Sequence, residues 1–293
     1  MLFGGDFNET SCYSISTTSQ QWTKLQNLPS KRCYHGSAVI GNSVFLVGGY
    51  ENNTIEEYNI VTKKFTHVYS MKMSLFLSAI SRHEFGISVY KGDSILIAGG
   101  DDSKSIFVLF NALNNCFVLN TKTTAIRDVG SLNSKRRGNV LVNFKDEIFC
   151  IGGWNTADRY LNSIEVFDAT TEEWKNSNLK LDIARFNHQA VAHKQFIYVL
   201  GGSIGYAKYT DTIERIDVSA MKVEMLSVKL KHARSLFAAS KHNNVLYIFG
   251  GEVKYGNIWA ITNSTEVLNL DTLEIKEGVE LSIKNDGFTA CSF

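Results

Sequence analysis

A pair of adjacent glycines recurs six times in this 293-residue chain, at intervals of 44 to 53 residues. Each pair follows a short apolar run, such as Val44–Val47 or Ile148–Ile151. A continuous apolar run that ends at glycine is typical of a β-strand buried on both faces. Two successive glycines also let the backbone turn or approach a neighbouring strand closely. The chain is therefore predicted to be a series of β units. The pairs are Gly4-Gly5, Gly48-Gly49, Gly99-Gly100, Gly152-Gly153, Gly201-Gly202 and Gly250-Gly251.

An eight-residue segment recurs in the same phase, with apolar residues at both ends and a polar turn between them. Its second position holds serine, asparagine or aspartate, whose side chains hydrogen-bond nearby backbone and favour turns. The segment therefore predicts a hairpin that joins the two outer strands of each unit. Four copies have a glutamate two residues ahead: Glu56, Glu165, Glu214 and Glu266. The copies run over 15–22, 58–65, 119–126, 167–174, 216–223 and 268–275.

An arginine precedes five of the glycine pairs, at 16 residues before the first glycine in four units and 17 in the other. The residues that follow are small or apolar, as in Gly36–Ile40, which predicts the innermost strand of each unit. Because one residue type recurs in five of the six units, we expect these arginines to form structural hydrogen bonds. They are Arg32, Arg82, Arg136, Arg185 and Arg234.

Each unit thus has four predicted strands in about 50 residues, which is the period of a Kelch propeller. The Gly-Gly pair after an apolar strand, the Glu-x-Tyr/Phe-Asp-like segment and the following Trp resemble the Kelch motif. The match is best over 135–174 and 184–223, although Trp ends the motif only at Trp22 and Trp174. The resemblance implies an all-β, six-bladed Kelch β-propeller with four-stranded blades, as a single domain over 1–293. The predicted blades are 285–293 plus 1–26, 30–69, 80–130, 134–178, 183–227 and 232–279.

The first blade has no innermost strand of its own, because the chain starts at a glycine-pair strand. The C-terminal segment Gly287–Ala290 follows Lys284 much as Gly36–Val39 follows Arg32. We therefore expect residues 285–293 to supply the missing strand and to close the ring, which removes exposed sheet edges.

Composition argues against several classes of function. Thirty basic residues face 29 acidic ones, for a formal net charge of +1, so neither nucleic acid nor a membrane is predicted as a partner. The five cysteines form no CxxC pair, which favours thiols in a reducing compartment and a cytoplasmic location. His35 and His188 occupy equivalent positions in non-adjacent units and are expected to be structural or to line a pocket. We predict no metal, no cofactor and no catalytic residue.

The resemblance to BTB-Kelch adaptors implies a non-catalytic module for protein recognition, as in substrate recognition by ubiquitin-ligase adaptors, with a protein or peptide bound at one face. An actin-associated (cytoskeletal) Kelch protein remains an alternative, as does a Kelch-type enzyme such as a copper oxidase or a sugar-processing enzyme. Propellers support many functions, so the fold does not decide between them.

Candidate binding residues come from three sources. In the adaptors, the residues two positions after each arginine face one pocket. Residues just after the glycine pairs and aromatic residues in the adjoining loops could anchor a partner. Arg137, in the run Lys135-Arg136-Arg137, is the strongest local basic feature. The resulting set is Tyr34, Tyr50, Glu84, Asp101, Arg137, Trp154, Asn187, Tyr206, Leu236, Tyr255 and Trp259. Gly138 is the remaining repeat-equivalent position. We expect Tyr34, Trp154, Asn187, Tyr206, Tyr255 and Trp259 to be at least partly accessible to solvent at one end of the ring. Phe45, Ile97, Phe149, Tyr198 and Phe249 are expected to lie mostly in the core between blades.

The connection between the second and third blades contains the apolar segment 71–80. We expect this segment to pack on a blade edge. A contact patch for a partner is the alternative, because Met-rich apolar surface suits adaptable binding.

Overall fold

The computed structural model describes residues 1–5, 10–70, 82–102, 111–256 and 258–293. Every regular element in these ranges is a β-strand, and the strands form six four-stranded antiparallel sheets with three smaller sheets beside them. The predicted all-β propeller is confirmed. Within these ranges no helix is long and apolar enough to span a membrane. The apolar segment 71–80 lies outside the described residues.

The six large sheets are blades 1 to 6, and the strands of each blade are lettered from the innermost, a, to the outermost, d. Blade 1 contains Thr289–Ala290, Leu2–Phe3, Cys12–Ile15 and Trp22–Lys24; blade 2 contains Gly36–Ile40, Ser43–Val47, Thr54–Asn59 and Lys64–Ser70. Blade 3 contains Gly86–Tyr90, Ser94–Ala98, Cys116–Asn120 and Ile126–Val129; blade 4 contains Val140–Phe144, Glu147–Ile151, Ser163–Asp168 and Glu173–Lys180. Blade 5 contains Gln189–His193, Phe196–Leu200, Thr212–Asp217 and Lys222–Lys229; blade 6 contains Ala238–His242, Val245–Phe249, Thr265–Asn269 and Ile275–Glu277.

The smaller sheets are built by the loops between strands b and c. The blade 4 loop forms a hairpin of Trp154–Asn155 and Arg159–Tyr160. The blade 5 loop forms a hairpin of Ser203–Gly205 and Lys208–Tyr209. In blade 6, the hairpin of Glu252–Tyr255 and Ile258–Ile261 also pairs with Arg234–Ser235. These elements lie at the same end of the propeller as the connections that lead into strands a.

The core lies between the blades, which explains the continuous apolar run of each strand b. Val44 and Leu46 pack with Phe3 of blade 1, whereas Phe45 and Val47 pack with residues of blade 3. Successive side chains of a strand point to opposite faces. Strand b therefore serves two inter-blade cores and needs an apolar residue at every position. The expected core residues Phe45, Ile97, Phe149, Tyr198 and Phe249 are all buried.

The glycine pairs join neighbouring blades. The second glycine donates its N–H to the carbonyl of the arginine at the start of the next blade, as in Gly153 to Arg185 at 2.9 Å. Gly152 has φ +59°, and a Cβ there would lie 2.7 Å from the same carbonyl oxygen. Both positions therefore require glycine, because a side chain would meet backbone at a left-handed conformation.

The arginine side chains bind the glycine pair of their own blade. In all five cases Nη1 donates to the carbonyl of the first glycine, as in Arg136 to Gly152 at 2.8 Å. Four arginines also pair with the repeated glutamate, and both side chains are almost completely inaccessible to solvent. In blade 3, Phe117 takes the position of the glutamate and Arg82 lies 4.8 Å over its ring. The predicted structural role of the arginines is confirmed.

The two ends of the chain meet in blade 1. Leu2 pairs with Ala290 and Phe3 pairs with Thr289, so the expected pairing of the C-terminal strand is confirmed. The proposed alignment of Lys284 with the repeat arginine is wrong. Asn285 takes that place: its carbonyl accepts from Gly251 and its Nδ2 donates to the carbonyl of Gly4 at 2.8 Å. The shorter amide reaches this carbonyl, so the junction keeps the contact without the arginine.

The predicted outer hairpins are present in the sheets, and their turns are held by the expected side chains. Oδ1 of Asn59 accepts from the N–H groups of Val61 and Thr62 at 3.0 and 2.8 Å. Asp168 binds Thr170 and Thr171 in the same way. These side chains satisfy turn N–H groups that no strand could pair.

Candidate partner-binding face

Six residues in the left-handed conformation surround one mouth of the central channel. Each lies two positions after the repeat arginine or, in blade 1, after Asn285, and each has φ between 52° and 60°. Each donates its backbone N–H to the carbonyl of the equivalent residue in the preceding blade, at 2.6 to 3.1 Å. We call this set the mouth ring. From donor to acceptor it runs Tyr34 to Gly287, Glu84 to Tyr34, Gly138 to Glu84, Asn187 to Gly138, Leu236 to Asn187 and Gly287 to Leu236.

The mouth ring fixes the positions of the predicted pocket residues. Tyr34, Glu84, Asn187 and Leu236 all line the central cavity of about 240 Å³, together with the first residues of the six strands a. Gly287 is the blade 1 member of the mouth ring. Its position requires glycine, because a Cβ there would lie 2.6 Å from the aromatic ring of Tyr34. The expected convergence of the repeat-equivalent positions on one pocket is present, and their role in partner binding stays a prediction.

The b–c loops begin beside the mouth ring. In blades 2 to 6, the residue before each ring position pairs with the residue after the glycine pair in the same blade. Asp101 thus lies opposite His83, and Trp154 lies opposite Arg137. Tyr50 donates its N–H to the carbonyl of Cys33 at 2.9 Å, and its ring is 5.5 Å from that of His83. The two sources of candidate residues therefore form one continuous surface.

A buried ionic cluster connects blades 3 and 4 at this surface. Nη1 of Arg137 is 3.1 Å from Glu84 and 3.2 Å from Asp101. Its guanidinium also lies over the rings of Trp154 and Phe186, at 5.3 and 5.9 Å from the centroids. The two carboxylates neutralise the cation, and the two rings shield it from solvent.

The expectation that Trp154 is exposed at this end is wrong. Its indole lies between Arg137 and Arg159, whose guanidinium is 5.8 Å from the ring centroid. Asp101 and Arg137 are buried as well, because they form the ionic cluster. Trp154, Asp101 and Arg137 thus form a buried layer beneath the surface, whereas Glu84 and Asn187 are partly accessible to solvent. Nδ2 of Asn187 donates to Glu84 at 3.2 Å across the mouth.

On the opposite side of the mouth, blades 6 and 1 contribute the carboxyl groups of Glu252 and Asp286, and the exposed Lys254 lies further along the blade 6 hairpin. Glu252 accepts a hydrogen bond of 2.5 Å from the hydroxyl of Tyr209, which joins the hairpins of blades 5 and 6. Burial raises the pKa of Glu252, and the negative charge of Glu84 raises it further, although the Tyr209 bond opposes this shift. Burial also raises the pKa of Tyr34, with added contributions from Asp286 and Glu84.

Among the described residues, the hairpins of blades 5 and 6 expose the largest apolar groups at this end. Tyr206, at the tip of the blade 5 hairpin, is 99% exposed. In blade 6, Ile258 is 71% exposed and Trp259 is 55% exposed. Tyr206 and Trp259 were expected to be accessible here, and both are. For Tyr255, which ends strand Glu252–Tyr255, the structure describes the backbone.

Some residues of this face are absent from the predicted set. Tyr209 and Glu252 belong to the loop positions that the sequence indicates as possible anchors, whereas the sequence pattern gives no signal for Ile258, and Gly287 lies in a predicted strand. A signal for Glu252 did exist, because it follows the glycine pair as Asp101 and Trp154 do. The hydrogen bond between Tyr209 and Glu252 depends on the approach of two hairpins, which spacing in sequence does not show.

The interior histidines serve the blade junctions. Cε1 of His188 lies over Gly152 and would be 2.8 Å from a Cβ at that position. His35 contacts Gly4 in the same manner, and its Nε2 is 3.1 Å from Oγ1 of Thr289. Burial lowers the pKa of both imidazoles, with a smaller contribution from the neighbouring arginine, to about 3 in His188. Within the described ranges, no group of three or more His, Cys, Asp or Glu side chains is arranged to hold a metal ion.

The sheets and the mouth ring define the class of this protein as a β-propeller, and comparison with known proteins gives the family. A model for the KLHDC2/KLHL20/DRC7 Kelch-repeats domain matches residues 138–286, and a Kelch motif model matches residues 31–72. The chain belongs to the Kelch-repeat family.

Individual relatives are more distant. Kelch-like protein 36 of Mus musculus is 23% identical over 183 residues, which are 58% of this chain and 27% of that protein. Kelch-like protein 41b of Danio rerio is 27% identical over 169 residues, which are 55% of this chain and 26% of that protein. The matched region thus spans about a quarter of these relatives. A solved structure, "Structure of YjhT", superposes with a TM-score of 0.76 at 13% identity and covers 92% of this chain and 90% of that one, which shows the shared fold.

Proposed function

We propose that this chain is a non-catalytic protein-recognition module that binds its partner at the end of the propeller that carries the mouth ring and the b–c hairpins. The observation that carries the proposal is the exposure of Tyr206, Ile258 and Trp259 on two neighbouring hairpins. Large aromatic and aliphatic groups on rigid elements are the usual anchors of protein interfaces.

The surroundings of these residues support the same reading. The ionic cluster around Arg137 fixes the floor beside the hairpins, and the Tyr209–Glu252 bond fixes one hairpin against the other. A rigid surface loses little conformational entropy on binding, which favours affinity. Recognition of an adaptor type, in the cytoplasm, is the specific form of the proposal, on the basis of the sequence resemblance to BTB-Kelch adaptors.

Affinity capture from cells of the source organism, followed by binding measurements with the purified partner, tests this proposal. The double variant Tyr206→Ala/Trp259→Ala should weaken partner binding by a hundredfold or more, since anchor residues contribute about 2 kcal/mol or more each. The matched control is Val61→Ala/Met221→Ala, which removes two exposed apolar side chains from c–d turns at the opposite end. Equal loss in both double variants, or in neither, would reject this face as the binding site.

A further inference from the structure

The charges at the mouth indicate the chemistry of the partner. Arg137 was the strongest basic candidate in the sequence, but its guanidinium is bound by Glu84 and Asp101 and lies against Trp154 and Phe186. An anionic group of a partner would have to displace these carboxylates and separate the rings. Arg137 therefore does not favour an acidic partner.

Glu252 differs from Arg137, because its negative charge is not paired with a described cationic side chain. Its carboxylate accepts from the neutral hydroxyl of Tyr209, and among the described residues no lysine, arginine or histidine forms an ion pair with it. Glu252 is partly accessible from the mouth, where Tyr34 and Tyr209 lie near it, and Asp286 adds negative potential at both tyrosines. A carboxylate beside aromatic rings is a suitable environment for an ammonium or guanidinium group.

The blade 6 hairpin supplies the second element. Ile258–Ile261 pairs with Glu252–Tyr255 on one side, and no strand of the described chain pairs with its other side. The exposed Ile258 and Trp259 stand on this same strand, Trp259 on the face of the hairpin that carries Glu252 and Ile258 on the other face. A strand edge with exposed apolar side chains can accept an extended segment by backbone hydrogen bonding.

We propose that the partner presents an extended segment in which a lysine or arginine lies between apolar residues. Its cationic side chain binds Glu252 beside Tyr34 and Tyr209, while its apolar residues pack on Trp259 and Ile258, on the two faces of the edge that no described strand pairs. This inference rests on the proposed function, since it names the chemistry of the partner for the same face. An acidic segment in this position would meet the like charges of Glu252 and Asp286.

The test uses the full chain immobilised on a surface and two pools of short synthetic peptides. The pools are identical except for a central lysine in one and a central glutamate in the other, and their remaining positions vary among Leu, Phe, Ser and Gly. Mass spectrometry measures the amount of each pool that is retained. We expect the lysine pool to be retained about tenfold more than the glutamate pool, as is usual for charge discrimination at a partly desolvated site.

Variants assign this preference to the proposed residue. Glu252→Gln should abolish the preference, and Glu252→Lys should reverse it, while Glu277→Lys, on the outermost strand of blade 6, serves as the matched control. Thermal unfolding of each variant verifies the fold, and Glu252→Gln suffices if the lysine variant is unstable.

The outcomes separate the inference from the function on which it rests. Equal retention of both pools, with loss of both in Tyr206→Ala/Trp259→Ala, would overturn the inference and leave the proposed function standing. Greater retention of the glutamate pool would overturn the inference in the same way. Failure to retain either pool, or retention that Tyr206→Ala/Trp259→Ala leaves unchanged, would count against both.

Discussion

Nη2 of Arg136 lies 2.6 Å from the carboxylate of Glu165, and both side chains are fully buried. Glu165 also accepts the backbone N–H groups of Asn133 and Ser134, at 2.6 and 3.1 Å. One carboxylate thus joins the repeat arginine to the connection that enters the blade. Equivalent pairs occur in blades 2, 5 and 6, so this contact is a recurring part of the propeller.

The buried pair predicts a large stability effect when one partner loses its charge. Glu165→Gln leaves the Arg136 guanidinium buried without its counter-charge, and we expect the free energy of unfolding to fall by about 3 kcal/mol. Urea denaturation measures this change. Lys175→Ala removes an ion pair with Asp168 on the surface of the same blade and should cost less than about 1 kcal/mol. Similar costs for the two variants would contradict the structural role of the buried pair.

The C-terminal strand should contribute strongly to stability. Deletion of residues 288–293 removes the buried Phe288 and the strand that pairs with Leu2 and Phe3. We expect a loss of about 4 kcal/mol, of the size seen when a buried Phe is truncated, and a fall in melting temperature of roughly 10 °C. Deletion of Phe293 alone, which is 59% exposed, is the control. An unchanged melting temperature for the longer deletion would show that the strand pairing is dispensable.

Glu172 predicts a pH-dependent contribution to stability at the junction of blades 3 and 4. Hydrogen bonds from Arg127, and secondarily from Tyr90, lower its pKa to about 2 from the ordinary 4.5. Because the folded-state pKa is lowered, the contribution is complete above about pH 4.5 and is lost as the pH falls toward 2.

The variant Glu172→Gln tests this contribution. Its urea midpoint should lie below that of the unmodified chain at pH 7, by the equivalent of up to about 1 kcal/mol for a pair that is partly exposed. The difference should narrow as the pH is lowered through the range between the two pKa values. Glu277→Gln, on an exposed position of the last strand, corrects for general effects of acid. A difference that stays constant with pH would contradict the assignment.

The fold could be predicted from the sequence because the same backbone contacts recur in every blade. The second glycine donates to the backbone carbonyl of the next arginine, and each arginine side chain donates to the carbonyl of the first glycine of its own blade, so the spacing of these residues is preserved. The start of blade 1 could not be predicted in the same way, since Asn285 replaces the arginine there and makes the contact with a shorter side chain.

The site was less predictable because its ion pairs join residues of different blades. Arg137 looked like an accessible cation, but Glu84 and Asp101 of the preceding blade bind it, and nothing in their spacing shows this approach. Trp154 followed the glycine pair as an exposed loop residue would, yet two guanidinium groups cover its ring. The exposure of Tyr206 and Trp259 agrees with the expectation, since they lie on hairpins that no described element covers.

Photo-crosslinking at single positions tests the central claim, the location of the partner, most directly. A photoreactive phenylalanine analogue is placed at position 206, on the exposed hairpin of blade 5, or at position 221, on an exposed turn at the opposite end. The chains are irradiated in cells of the source organism, and crosslinked proteins are identified by mass spectrometry. We predict a specific protein adduct from position 206 that Trp259→Ala reduces and that position 221 does not give. The same adduct from both positions, or from position 221 alone, would contradict the account.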